Sequence, residues 1–201
     1  MADCINCGSY TKFNGGLCAK CFHDQTNNSN KSATKAILES QVKGQDWAYN
    51  MIKGRIAETL IQELFLSLGY NVFRYGMENT IPGIMELLKG VRSEVATEIK
   101  RMPDFVMQNP ATKDVYFVEV KFRANGEFKL KDLSKDYPYS NAFIVLVSKR
   151  HIKCITFEEL KAGIEITPTS NNYLGSRTEF NLDKEVIIQF CQFAIKFFEN
   201  V

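Results

Sequence analysis

Two carboxylates and a lysine in the middle of the chain have the types and spacing of a metal-assisted hydrolytic site. Asp104 follows Pro103 at the head of the apolar run Phe105-Val106-Met107, and Glu119 and Lys121 flank Val120 inside a second run, Tyr116 to Lys121. The turn-rich stretch Asn109-Pro110-Ala111-Thr112-Lys113-Asp114 joins the two runs, which predicts a β-hairpin. In an antiparallel pair, residues directly opposite each other have a constant sum of sequence numbers. Setting Asn109 opposite Asp114 leaves a four-residue loop and sets Asp104 opposite Glu119. Opposite residues share a face, and the two-residue period brings Lys121 onto that face too. A slip of one residue would undo the convergence. Val118 and Val120 on the other face are apolar, and Phe117 precedes Glu119 and Lys121 on theirs. Strands apolar on both sides are central, so charges inside one need a reason.

These residues must be held by helices and strands that the pattern also supplies. Lys53 to Leu68 carries Ala57, Leu60, Ile61, Leu64, Phe65 and Leu68 at amphipathic-helix spacing, and Gly69 is placed to end it. Glu58 lies at the border of that stripe, where a carboxylate leans over the edge of the sheet beneath. A strand pattern, Val72 to Tyr75, follows. Helical acid, strand, Pro103-Asp104 and Glu119-Val120-Lys121 occur in that order, and over Asp46 to Val147 the chain resembles the PD-(D/E)xK phosphodiesterases. The stretch Lys53 to Glu58 with Gly69 to Val72 is similar to the first helix and strand of restriction-like and resolvase-like members. One departure is the span Gly76 to Arg101, whose pattern from Ile84 to Lys100 reads as an inserted helix, either touching substrate or decorating the core.

The resemblance implies a restriction-endonuclease-like α/β fold, a mixed sheet flanked by helices. It also implies Mg²⁺ or Mn²⁺ held by Asp104, Glu119 and the backbone carbonyl of Val120. Glu58 would bind a second ion or orient a metal-bound water. Mg²⁺ takes oxygen ligands and keeps several waters, and it acidifies a bound water while polarising a phosphate. Lys121 would orient or deprotonate the attacking water and offset charge on the phosphate. The expected catalytic set is therefore Glu58, Asp104, Glu119 and Lys121. The expected activity is endonucleolytic cleavage of nucleic acid, DNA first, and a homodimer is expected by analogy with the family.

The second cluster is N-terminal. Cys4-x-x-Cys7 and Cys18-x-x-Cys21 are separated by ten residues, with Gly8, Gly15 and Gly16 at turn positions. Paired CxxC turns aim four thiolates at one tetrahedral Zn²⁺. Met1-Ala2-Asp3 is no secretory leader, which argues against disulfides, and the spacing differs from ferredoxin patterns. A small zinc ribbon over 1–24 is expected, its metal supplying most of its folding free energy. Lys12 and Lys20 with Tyr10, Phe13 and Phe22 suit a nucleic-acid contact. Cys154 and Cys191 lie in apolar runs and read as core.

Residues 25–45 read as a polar linker and leading helix, the linker proper (His23 to Ser32) being asparagine-rich and flexible, and 46–201 as the nuclease-like domain. Within the latter, strands are expected over Ala142 to Val147 and His151 to Thr156. A helix capped by Asp183 should turn Val186, Ile187, Phe190, Ala194 and Phe197 to the core. Net charge is only +2, but Lys121 to Lys153 holds eight basic residues against three acidic ones, a candidate for phosphate contacts. No apolar stretch approaches the roughly 20 residues of a membrane span, so no membrane partner and a cytoplasmic location are expected. The rival class is a non-catalytic zinc-ribbon nucleic-acid-binding or transcription-accessory protein, and a third is a redox protein cycling its CxxC pairs.

Overall fold

The computed structural model describes residues 2–12, 16–76, 83–135 and 137–199. Phe13, Gly15 and Asp136 lie outside them. The chain divides into two compact units, Met1–Met51 and Ile52–Val201. No helix among the described residues is long and apolar enough to cross a membrane.

In the first unit, β1 (Ala2–Asp3) pairs antiparallel with β2 (Tyr10–Thr11). Helix α1 (Ala19–Ser67) then begins directly after Cys18. The stretch expected to be a flexible linker is helical instead. Between Asp24 and Lys43 the sequence contains neither glycine nor proline. Polar residues lower helix propensity by tenths of a kcal/mol, whereas only those two break a helix outright.

In the second unit, five strands form a mixed sheet in the order β3 (Asn71–Arg74), β4 (Phe105–Gln108), β5 (Val115–Phe122), β6 (Phe143–Val147) and β7 (Ile152–Thr156). Only β5 and β6 run parallel. The hairpin β4–β5 has the register expected from the sequence, pairing Phe105 with Val118 and Gln108 with Val115. Asn109 closes its loop: its N–H donates to the Asp114 carbonyl at 2.9 Å, and its side-chain oxygen accepts from Ala111 N–H at 2.9 Å. Lys113 supplies the left-handed residue the turn needs, with φ +67°.

The apolar stripe of α1 (Ala57, Leu60, Ile61, Leu64, Phe65) packs with Phe105, Met107, Val118, Val120, Val145 and Val147 in one core. Gly69, at φ +82°, ends that helix, and Tyr70 N–H reaches back to the Phe65 carbonyl at 3.0 Å. The same core takes α5 (Lys184–Phe198), whose first turn is capped by Asp183. There Phe198, not Phe197, is the buried residue: it stacks on Phe122 at 4.2 Å while Phe197 is 59% exposed. A second core on the opposite face gathers Ile144, Leu146 and Ile155 with Phe128, Leu133 and Tyr137, together with Phe157 and Leu160 of α4 (Phe157–Lys161). The inserted span forms two short helices, α2 (Ile84–Leu87) and α3 (Glu94–Lys100), rather than one. Gly90, at φ +77°, lies between them, and Ser93 caps the second by accepting from Ala96 N–H.

Candidate catalytic cavity and cysteine cluster

The strand register decides where the charges point. Glu119 pairs with Ile144 and Lys121 with Leu146 across β5–β6, so both belong to the second-core face of the sheet's central strand. Among the described residues, that core includes no residue of a long helix, and a cavity of about 310 Å³ opens beside it. Asp104, Glu119 and Lys121 line the cavity together, with Ile99, Lys100 and Arg101 from the end of α3 and Asp132, Leu133, Ser134 and Tyr137 from the segment after β5. The inserted span is therefore part of the cavity wall.

Asp104 sits one residue before β4, and its backbone carbonyl accepts from Tyr75 N–H at 2.9 Å, which anchors it to the end of β3. Its carboxylate Oδ2 accepts from Val120 N–H at 2.6 Å. Glu119 is 8% exposed and takes an ion pair from the Lys121 ammonium. Burial raises the Glu119 carboxyl above its ordinary range, with Lys121 pulling it down and the charge of Glu58 adding to the rise. Burial works to lower the Lys121 pKa, but the carboxylates of Glu119 and Asp104 outweigh it and the net shift is upward. The two carboxylates thus favour the ammonium form of Lys121.

Glu58 is half-buried on α1 and faces Arg74 Nη1 at 3.9 Å. It is not among the residues lining the cavity, although its charge reaches Glu119. Among the described residues, the cysteine quartet is the one group of three or more His, Cys, Asp or Glu whose ligand atoms converge to metal-binding spacing. Glu58, Asp104 and Glu119 do not close to that degree. Like-charged carboxylates stay apart unless a cation draws them together. The basic stretch is also less available than its composition suggests. Lys153 is 3% exposed and donates to the carbonyls of Thr167, Pro168 and Ser170 at 2.6, 3.1 and 2.7 Å, and Lys129 pairs with Glu165 at 3.0 Å.

The thiols of Cys4, Cys7, Cys18 and Cys21 all lie within 4.8 Å of one another. Cys7 Sγ and Cys18 Sγ are 3.7 Å apart, close to the ~3.8 Å edge of a tetrahedron with Zn–S bonds of about 2.3 Å. Gly8, at φ +70°, turns the first knuckle, its N–H donating to the Cys4 carbonyl at 2.9 Å. The second pair straddles the start of α1. Backbone N–H groups aim at sulfur: Cys18 N–H donates to Cys4 Sγ at 3.2 Å, and with Cys7 N–H it draws the Cys4 thiol down to about 6. The Asn6 amide favours the Cys21 thiolate, but the neighbouring Cys7 and Cys18 sulfurs and burial drive it up to about 12. Four cysteine sulfurs this close could hold a metal ion, and the soft donor set suits zinc.

Cys154 is fully buried and Cys191 partly so, in keeping with a core role. Sequence reasoning missed the contributions of Lys100, Arg101, Asp132 and Tyr137 to the cavity. Only the aromatic Tyr137-Pro138-Tyr139 inside a lysine-rich stretch hinted at one of them. Compared with protein-family models and with curated proteins, the chain matches none.

Proposed function

We propose that this protein is a divalent-metal-dependent phosphodiesterase of the PD-(D/E)xK type, with a restriction-endonuclease-like catalytic unit, that cleaves nucleic acid and prefers DNA. The observation carrying the proposal is the convergence of Asp104, Glu119 and Lys121, from two paired strands, on one cavity. A buried acid and an ammonium in the middle of a sheet are costly, and such groups concentrate where chemistry is done. The hard oxygen donors of Asp104 and Glu119, which the Val120 carbonyl would join, suit Mg²⁺ or Mn²⁺. When bound, the ion would polarise a phosphate and make a water acidic. Asp104 is pre-aimed by its bond to Val120 N–H. Lys121 would orient or deprotonate the attacking water and offset charge on the phosphate. Glu58, whose charge reaches Glu119, would hold that water from the sheet edge. Lys100 and Arg101 line the same cavity as the acids and would add positive charge for a phosphate backbone. The cysteine cluster is read as a zinc ribbon that stabilises its own unit and adds nucleic-acid contacts.

The test is incubation of purified protein with supercoiled, linear, single-stranded and four-way-branched DNA and with RNA, each in Mg²⁺, Mn²⁺ or EDTA. Cleavage that depends on the divalent ion is expected, strongest on one of the DNA forms. Binding without cleavage of any of them would instead make the protein a nucleic-acid-binding module.

A further inference from the structure

The hydroxyl of Tyr137 is the one buried side-chain polar atom among the described residues with no hydrogen-bond partner. Tyr137 is 9% exposed. Its ring packs against Phe157 at 5.5 Å and Tyr139 at 5.8 Å, contacts that a phenylalanine would make equally well. Native proteins seldom leave such a donor unpaired. The residue lines the same cavity as Asp104, Glu119 and Lys121. Burial raises its pKa and the charges of Glu119 and Asp104 add to the rise, so the phenol keeps a proton to donate. Neither carboxylate accepts from the Tyr137 hydroxyl. An acceptor for Tyr137 must come with whatever fills the cavity.

We infer that Tyr137 is a substrate-contacting residue whose hydroxyl donates to a non-bridging oxygen of a phosphate seated in the Asp104–Glu119–Lys121 cavity. This rests on the phosphodiesterase reading and adds a named contact to it. An anionic oxygen is the acceptor that strengthens a hydrogen bond most. A neutral donor serves this position because it holds the phosphate without adding a charge that would compete with a metal for Asp104 and Glu119. The ring packing fixes the direction of the donor before substrate arrives, as a positioning group requires.

Tyr137→Phe in the full chain tests the assignment by two readouts. The first is the melting temperature with and without inorganic phosphate in Mg²⁺, and the second is steady-state cleavage of DNA. Without phosphate the variant should melt at or above wild type, because an unpaired buried donor has been removed. Phosphate should raise the melting temperature of wild type and raise that of the variant clearly less. On DNA that wild type cuts, kcat/KM of the variant should fall roughly 10- to 100-fold, as for loss of a hydrogen bond to a charged group. Equal phosphate shifts in the two proteins, or none in either, would overturn the assignment whatever the cleavage result. A phosphate shift that separates the two proteins while neither cuts nucleic acid would keep the contact and remove the nuclease reading.

Discussion

Replacing Lys121 by methionine should expose how the cavity balances its charge. The substitution keeps the length and packing of the side chain but leaves the Glu119 carboxylate, whose side chain is 10% exposed, without its counter-ion. Breaking a buried ion pair from one side costs about 3–5 kcal/mol. The Lys121 side chain is 30% exposed, and solvent screening brings the expected cost down to about 2–3 kcal/mol. For a unit the size of Ile52–Val201, that lowers the melting temperature by about 4–12 °C. The deficit should depend on pH in a definite direction. Burial already raises the Glu119 pKa, and Lys121 is the strongest influence opposing it, so the variant's carboxyl titrates higher still. A folded-state pKa above the unfolded one gives stability at low pH that is lost as pH rises through it. Lys121→Met should therefore approach wild type at pH 5 and fall behind it at pH 8. Mg²⁺ should narrow the gap by replacing the missing charge, contributing about 1.4 kcal/mol at a tenfold excess over its dissociation constant. Thermal unfolding at the two pH values, in EDTA and in Mg²⁺, measures all of this. A variant that melts with wild type at pH 8 in EDTA, or a deficit unchanged between pH 5 and pH 8, would refute the reasoning.

Three further outcomes are expected. Metal analysis of purified protein should find one zinc per chain, and a strong chelator or Cys7→Ser should abolish ordered structure in Met1–Met51 while leaving the unfolding transition of the sheet unit in place; cycling of the cysteines as disulfides without bound metal would contradict this. Phe198→Ala should cost about 3–5 kcal/mol and Phe197→Ala less than about 0.5 kcal/mol in denaturant titrations, because only the first ring is enclosed. Burial pushes the Glu159 carboxyl up, but the Arg177 guanidinium and Thr156 N–H outweigh it and hold it below its ordinary range. Glu159→Gln should thus cost about 2 kcal/mol at neutral pH, a difference present above the ordinary carboxylate pKa and lost as pH falls through the lowered one.

The hairpin shows what could be read from the sequence and why. Its register follows from one turn and a two-residue period, so Asp104, Glu119 and Lys121 could be brought onto one face by counting alone. The Asp183 cap and the stripe from Ala57 to Phe65 are equally local signals. What failed depended on distant partners. Phe197 and Phe198 both lie within reach of a helical stripe, and only the position of Phe122 selects the second. The inserted span carries a continuous periodic pattern, yet Gly90 divides it into two helices, and nothing local says that Lys100 and Arg101 end at the cavity. Tyr137 was invisible for the same reason: its meaning comes from the carboxylates across the cavity, not from its neighbours in sequence. Residues 23–32 were misread because composition was taken for conformation, where the absence of breakers let α1 continue.

The central claim is tested most directly by the Mg²⁺-dependent rate of DNA cleavage by wild type and Asp104→Asn, measured side by side. Asparagine keeps an oxygen to accept Val120 N–H, so the variant should fold and melt close to wild type while losing an anionic ligand. The account predicts cleavage by wild type that EDTA abolishes, reduced roughly 100- to 1,000-fold in the variant. Equal cleavage by both proteins, or cleavage by wild type that survives EDTA, would contradict it.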